Sequence, residues 1–291
     1  MSGDTLHRPT DQLLRVEDLS VEFRTANGVA RVVDSVSFSV PRGGALGIVG
    51  ESGSGKSMTS LAIMGLLPKG GSASGSIRFD GQDLLSLRGN AMRRVRGDRI
   101  AMIFQDPLSS LNPYYTVGVQ IAEAYRSHRT GVSRKEAKRV AIEAMERVHI
   151  HDAARRADHY PHQFSGGMRQ RIMIAMALSM EPDLIIADEP TTALDVTVQA
   201  QILDLLAEIR RDTGAGLILI THDLAVVSEV ADNIVVMRGG ELVETGGVEE
   251  VFSDPQHEYT RRLLDAVPRI DDQIGELRTT AIPVVTEKEM R

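Results

Sequence analysis

The chain has 291 residues, of which 42% are hydrophobic and 25% charged, an ordinary globular balance that excludes a mainly disordered or collagen-like protein. It has no cysteine, which excludes disulfides, thiolate metal sites, cysteine-ligated iron–sulfur clusters and cysteine nucleophiles. The formal net charge of −7 removes a global basic footprint for nucleic acid, and no segment offers the ~20 apolar residues that span a bilayer.

The opening MSGDTLHRPTDQ reads as a polar tail without the apolar core of a signal peptide. A soluble, cytosolic protein is expected, with any membrane link made through a partner. From Leu13 onward, apolar runs at Leu14–Val16, Val32–Val40 and Ala45–Gly50 predict strands. The alternation in Val36-Ser-Phe38-Ser-Val40 marks a half-buried one. Glycine-rich breaks follow at Arg42-Gly-Gly44 and across Lys69–Gly75. Ile100–Phe104 is again of strand length. Residues from about 116 to 180 read as helical, with a capping box at Ser133 and Glu136 ahead of Ala137, Val140, Ala141, Ala144 and Met145. Strands at Asp183–Asp188 and Leu217–Ile220 then alternate with a helix capped by Asp195 and a short helix near Asp223–Val230. Ile234–Met237, Arg238-Gly-Gly240 and Leu242–Glu244 predict a hairpin, and a last helix is expected from about Gln256 to Ala266. Short apolar strands separated by helices predict an α/β fold with a mainly parallel sheet core. The strand-rich start predicts an N-terminal antiparallel β subdomain, and the helical block reads as an inserted subdomain.

Three motifs carry chemistry. Gly50, Glu51, Ser52, Gly53, Ser54, Gly55, Lys56 and Ser57 fit G-x-x-x-x-G-K-[ST], after a strand and before the helical run Met58–Leu67. Such a loop cradles phosphates with backbone N–H groups, its lysine reaches the β- and γ-phosphates, and its serine ligates Mg2+. The apolar run Leu184–Ala187 delivers Asp188 and Glu189 at a strand's C-terminal end, where α/β sheets bind ligands. Neighbouring strand residues face opposite ways, so Asp188 can hold Mg2+ while Glu189 orients or deprotonates water. Ser165, Gly166 and Gly167 open a helix and could form a second anion site; taken alone, an ordinary N-cap is the better explanation. Gln105 and His222 each follow a strand. Gln105 could reach Mg2+ or the attacking water, and His222 the γ-phosphate, although lone residues of these types are usually structural or exposed.

Together, Gly50–Ser57, Gln105, Ser165–Gln170, Leu184–Glu189, Ala193-Leu-Asp195 and His222 resemble the ATP-binding-cassette (ABC) ATPases, over about residues 13–246. The resemblance implies ATP and Mg2+ as ligands, Phe23 as an aromatic stacked on adenine, and two cassettes facing head to tail. Each Ser-Gly-Gly then closes on the ATP held by the other cassette, with Asp195 at that interface. Phe164 and Met168 depart mildly from the family's Leu-Ser-Gly-Gly-Gln.

A narrower resemblance is carried by Ile103–Pro113, Phe164–Arg171 and the extension Asp254–Leu264, which look like the oligopeptide/dipeptide/nickel importer ATPases. Glu258 stands where that family usually has proline. The cysteine cluster of some relatives has no counterpart here. This resemblance implies a cassette at 13–246, a helical subdomain at about 106–180 and a C-terminal extension at 247–291. It implies a second ATPase subunit, two transmembrane permease subunits, an extracytoplasmic solute-binding protein and a place on the cytoplasmic face of the cell membrane. Peptide is the expected cargo, with nickel, glutathione or another small solute as alternatives. A nucleic-acid-associated ABC ATPase fits less well, lacking coiled-coil insertions or a second cassette, and no nucleic-acid partner is expected. A small-molecule kinase would leave Ser165–Gln170 unexplained. Leu108, Leu111, Pro113, Tyr114 and Tyr115 cluster after Gln105 and could form a groove for a partner helix or pin the helical block to the core.

Overall fold

Alternating side chains and tight turns build the first layer. In a computed structural model, which describes residues 12–266 apart from Asn27, Ala193 and the side chains of Leu108 and Ser109, strand β1 (Gln12–Thr25) pairs antiparallel with β2 (Gly28–Pro41). The polar tail up to residue 11, Ala193, the Leu108 side chain and the extension past Ala266 lie outside the described residues. β1 is far longer than the expected Leu14–Val16. A register shift between Val16 and Leu19 moves the buried set from Leu14 and Val16 to Leu19 and Val21, which breaks the period-2 pattern. β4 (Gly71–Phe79) occupies what reads as a glycine-rich break, held by antiparallel pairing to β1, and β5 (Gln82–Asp83) completes a sheet of order β2-β1-β4-β5.

The second layer is a six-stranded sheet. β3 (Ala45–Val49), β6 (Ile100–Ile103), β7 (Leu184–Asp188), β8 (Gly216–Thr221) and β9 (Asn233–Arg238) are parallel. β10 (Glu241–Gly247) returns antiparallel on β9 through the expected Arg238-Gly-Gly240 turn, giving the order β10-β9-β3-β8-β7-β6. β3, β7 and β8 are buried throughout, as expected of a parallel sheet covered on both faces.

Helices connect these strands. α1 (Lys56–Ile63) follows β3, and α2 (Asn90–Val95) precedes β6. Between β6 and β7, which are neighbours in the sheet, the chain runs through α3 (Pro107–Ser110), α4 (Val117–His128), α5 (Arg134–Arg147), α6 (Ala153–Arg156) and α7 (Gly166–Leu178). Ser133 Oγ caps α5 by accepting from the Glu136 N–H at 3.1 Å. The Glu136 carboxylate turns to Arg139, so the serine half of the expected capping box is the part described. α8 (Val196–Thr213) and α9 (Leu224–Val230) flank β8. α10 (Val248–Ser253) and α11 (Glu258–Asp265) follow β10.

One apolar cluster fills the space between the two sheets, including Leu14, Val36, Ile77, Ile48 and Ile220. A second covers the other face with Leu206 of α8 and continues into the helical block through Ile121, Met145 and Ile172. Leu111 is only 3% exposed within it, whereas Tyr114 is 84% exposed and Tyr115 57%. The expected aromatic cluster therefore divides into a core residue and a surface pair. No helix among the described residues is long and apolar enough to cross a membrane.

α9 lies so close to β3 that a Cβ at Gly47 would stand 2.3 Å from Val227 Cγ1. Valine in a helix has little rotamer freedom with which to yield. Gly47→Ala should therefore cost about 1–3 kcal/mol of stability in urea melts. Adding Val227→Ala should return part of that loss, measured as a coupling in the double-mutant cycle.

Candidate functional site

Four parallel strands end at one edge. β3 aligns Val49 with Thr221 of β8, and β7 aligns Asp188 with Ile220. On β6, Ile103 aligns with Ala187. The residues that follow each strand therefore emerge side by side: Gly50–Ser57 after β3, Asp188 and Glu189 at the end of β7, His222 after β8 and Gln105 after β6.

The phosphate loop turns into α1 at Gly55, whose φ of 100° is left-handed. A Cβ there would meet the Val32 carbonyl oxygen at 2.8 Å, so both the backbone and the space require glycine. No side chain caps the first turn of α1, which leaves its amides available to an anion. Lys56 is buried, and its Nζ donates to Gly50 O at 2.6 Å and Glu51 O at 2.8 Å. Burial lowers its pKa, against the raising influence of Glu189, Asp188 and Glu51.

Ser57 Oγ donates to Asp188 Oδ1 at 3.1 Å. The Asp188 carboxyl is pushed above the usual carboxylate range, first by burial and then by the neighbouring Glu189 charge, against the hydrogen bond from Ser57 and the charge of Lys56. This hydroxyl and carboxylate are hard oxygen donors and suit Mg2+. Among the described residues no group of three or more His, Asp or Glu side chains could hold a metal alone.

Glu189 does not simply continue the strand alternation. β7 stops at Asp188, and Glu189 takes a left-handed φ of 46°, while its N–H still donates to Ile220 O at 2.8 Å. A non-glycine residue in this region stores about 1–3 kcal/mol and is held there by its surroundings. Its Oε2 accepts from Gln105 Nε2 at 2.9 Å and from Thr192 Oγ1 at 2.9 Å, and its Oε1 lies 3.6 Å from His222 Nδ1. The structure thus joins Gln105, Glu189 and His222 directly. The described contacts of Gln105 run to Glu189 and not to Ser57 or Asp188.

The remaining candidates stand apart from this group. Phe23 is half-buried on β1 and lies against Gly71, with no described contact to the phosphate loop. Ser165 caps α7, accepting from the Met168 N–H at 3.4 Å. Asp195 caps α8, its Oδ1 accepting from the Val198 N–H at 2.9 Å. A Cβ at Gly166 would sit 3.4 Å from Leu194, so the Ser165–Gly167 turn and the Asp195 loop are neighbours. Two site residues carry no local sequence signal as strong as a motif. Thr192 is recognisable only as a hydroxyl three positions after the glutamate it binds. Tyr259 lies in the segment Asp254–Leu264 that carries the narrower resemblance, but nothing local shows that its hydroxyl accepts the Glu51 N–H at 3.0 Å from 208 positions away.

A family model described as ABC transporter matches residues 33–192, and one described as the oligopeptide/dipeptide transporter C-terminal region matches residues 243–290. The chain is 50% identical to the oligopeptide transport ATP-binding protein OppD of Bacillus subtilis, over 94% of this chain and 76% of that protein. It is 48% identical to OppD of Salmonella typhimurium, over 94% of this chain and 81% of that protein. Among solved structures, the dimeric post-hydrolysis ATP-binding cassette MJ0796 bound to ADP and Pi superposes with a TM-score of 0.71 at 26% identity, over 81% of this chain and 98% of that one. The cbiO1 subunit of the Clostridium perfringens cbiONQ transporter gives 0.70 at 30% identity, over 89% and 97%.

The raised Asp188 pKa makes its ionised form a burden on the native state at neutral pH. Asp188→Asn should therefore melt at a higher temperature than the wild type at pH 7 in chelator without nucleotide. Because the folded carboxyl holds its proton more tightly than the unfolded one, the wild type should close that gap as pH falls through the raised value towards the ordinary 3.8. Thermal melts of both proteins across that range provide the measurement.

Proposed function

Because the chain belongs to the ABC transporter family of ATP-binding proteins, we propose that it is the ATP-binding and ATP-hydrolysing subunit of an importer that takes up peptides across the cytoplasmic membrane. The observation that carries the ATPase reading is the convergence of Lys56, Ser57, Asp188 and Glu189 on one sheet edge. The peptide reading draws on relatives named for oligopeptide transport and on the matched C-terminal region.

In this mechanism the loop amides of Gly50–Ser57 and the Lys56 ammonium hold the phosphate oxygens. Ser57 and Asp188 would hold Mg2+, with Gln105 as a further candidate ligand, and the cation would supply positive charge to the phosphate oxygens. Glu189 accepts a proton from water as the water oxygen bonds to the γ-phosphorus and the bond to the bridging oxygen breaks. Gln105 and Thr192 fix the orientation of that carboxylate from one oxygen, and His222 stands at the other. Phe23 is the candidate surface for adenine. Ser165, Gly166, Gly167 and Asp195 face a second cassette, whose ATP they help to enclose. The cassette spans 13–246 and the extension 247–291. Two permease subunits tie the protein to the cytoplasmic face of the membrane, and a solute-binding protein supplies cargo from outside. The exposed Tyr114 and Tyr115 provide the aromatic surface that meets a permease.

Glu189→Gln should bind ATP normally and lose turnover by about 10²–10⁴. Lys56→Ala should weaken binding and turnover together. Equilibrium binding of ATP and phosphate release check both, and full hydrolysis by the glutamine variant would remove Glu189 from its role. Tyr114→Ala should reduce permease co-purification and uptake without changing the melting temperature. Leu111→Ala should instead lower stability, by about 2–5 kcal/mol, because it empties a core position.

A further inference from the structure

The extension that follows the cassette reaches into the phosphate loop. Tyr259, in the first turn of α11, is buried with Val49, Val236, Val248 and Val251. Its hydroxyl accepts the backbone N–H of Glu51 at 3.0 Å. The same peptide unit carries the Gly50 carbonyl, which accepts Lys56 Nζ at 2.6 Å. One peptide plane is therefore gripped on both sides, by a phenol from the extension and by the lysine of the loop. A rotation of that peptide breaks both bonds.

The phenol is itself held in place. The Arg238 guanidinium stands 5.1 Å from the ring centroid. The turn before α11 is clamped to β10, where the Glu244 carboxylate accepts the Gln256 N–H at 2.6 Å and the His257 N–H at 3.0 Å. His257 Nδ1 then accepts the Tyr259 N–H at 3.1 Å. Burial raises the phenol's pKa, against the lowering hydrogen bond from the Glu51 N–H and the charge of Arg238, so it stays a neutral hydroxyl at physiological pH.

The loop has little other support from distant segments. Glu51, Ser52 and Gly53 are exposed. Among the described residues, its hydrogen bonds to remote parts of the chain are the one to Tyr259, the one from Gly240 N–H to Ser54 O at 3.1 Å and, at the helix end, the one from Ser57 Oγ to Asp188 Oδ1 at 3.1 Å, so Tyr259 is the remote support of the Gly50–Glu51 peptide. Each backbone residue ordered on binding subtracts from affinity, so a loop fixed beforehand binds more tightly.

We propose that Tyr259 is a positioning residue for the phosphate loop, through which the C-terminal extension sets the affinity of the cassette for ATP. The proposal rests on the reading of Gly50–Ser57 as the nucleotide site. It gives the extension a task inside the ATPase cycle, since any force that lifts α11 releases the Gly50–Glu51 peptide.

Tyr259→Phe keeps the ring, its burial and the Arg238 contact, and removes only the hydroxyl. In the full-length chain, the dissociation constant of a fluorescent ATP analogue should rise about three- to tenfold, the worth of one hydrogen bond. In the assembled transporter the KM for ATP should rise by the same factor while kcat at saturating ATP holds. Unchanged affinity, or a fall in kcat at unchanged KM, overturns the proposal. Hydrogen exchange of the wild-type chain without nucleotide gives a readout independent of any variant: the Glu51 amide should be protected, and exchange there at the rate of an open loop overturns it. Lys56→Ala, tested alongside, separates the two readings. If it keeps full affinity for the analogue, the nucleotide site itself is misassigned. If it loses affinity while Tyr259→Phe does not, only the role of Tyr259 falls.

Discussion

Parallel pairing of β3, β8, β7 and β6 is the constraint on which the site depends. Parallel strands run in the same direction, so their C-terminal ends form one edge, and every loop leaving that edge can reach its neighbours. The register aligns Val49 with Thr221 and Asp188 with Ile220. The ladder even extends past β7, where the Glu189 N–H still finds Ile220 O. A parallel pair also needs a long crossover. Between β6 and β7 that crossover has grown into the whole helical block, which places α7 and its Ser-Gly-Gly turn beside the Asp195 loop without disturbing the sheet.

The edge concentrates charge that burial opposes. Lys56 is held towards its neutral form and Asp188 towards its protonated form by the same low-dielectric surroundings. Each partly relieves the other, and Ser57 and the loop carbonyls take the remaining hydrogen bonds. The native state thus carries groups that would be more comfortable elsewhere, together with a strained backbone at Glu189. Such local cost at a sheet edge is what polyanion binding can offset, because phosphates and a divalent cation supply the countercharges that both groups lack.

Much of this was legible in the residues. The phosphate loop, the Asp188-Glu189 pair and the β9–β10 hairpin follow from apolar runs and glycine placement. Ser133 and Asp195 each cap a helix where a capping residue stands before an apolar period. The N-terminal sheet was harder to see, for two physical reasons. The shift between Val16 and Leu19 hides the alternation of β1, and β4 is built from glycine and serine that β1, rather than intrinsic propensity, holds in a strand. The orientation of Glu189 was also hidden, because strand alternation says nothing of a left-handed residue just beyond the strand. Tyr259 stands within the segment Asp254–Leu264 that the sequence singles out, but its contact with the loop had no local signal, since a hydrogen bond across 208 positions is a property of the fold alone.

The two carboxylate and phosphate elements of the site are held from opposite peripheries. Gln105 stands at the entry to the helical block, immediately before α3 and the exposed pair Tyr114 and Tyr115, and its amide holds Glu189. Tyr259 stands at the start of α11 and holds the peptide that faces Lys56. On the proposed reading Glu189 handles water and Gly50–Ser57 handles phosphate, so each of the two tasks has its own positioning contact, one from the entry to the helical block and one from the extension.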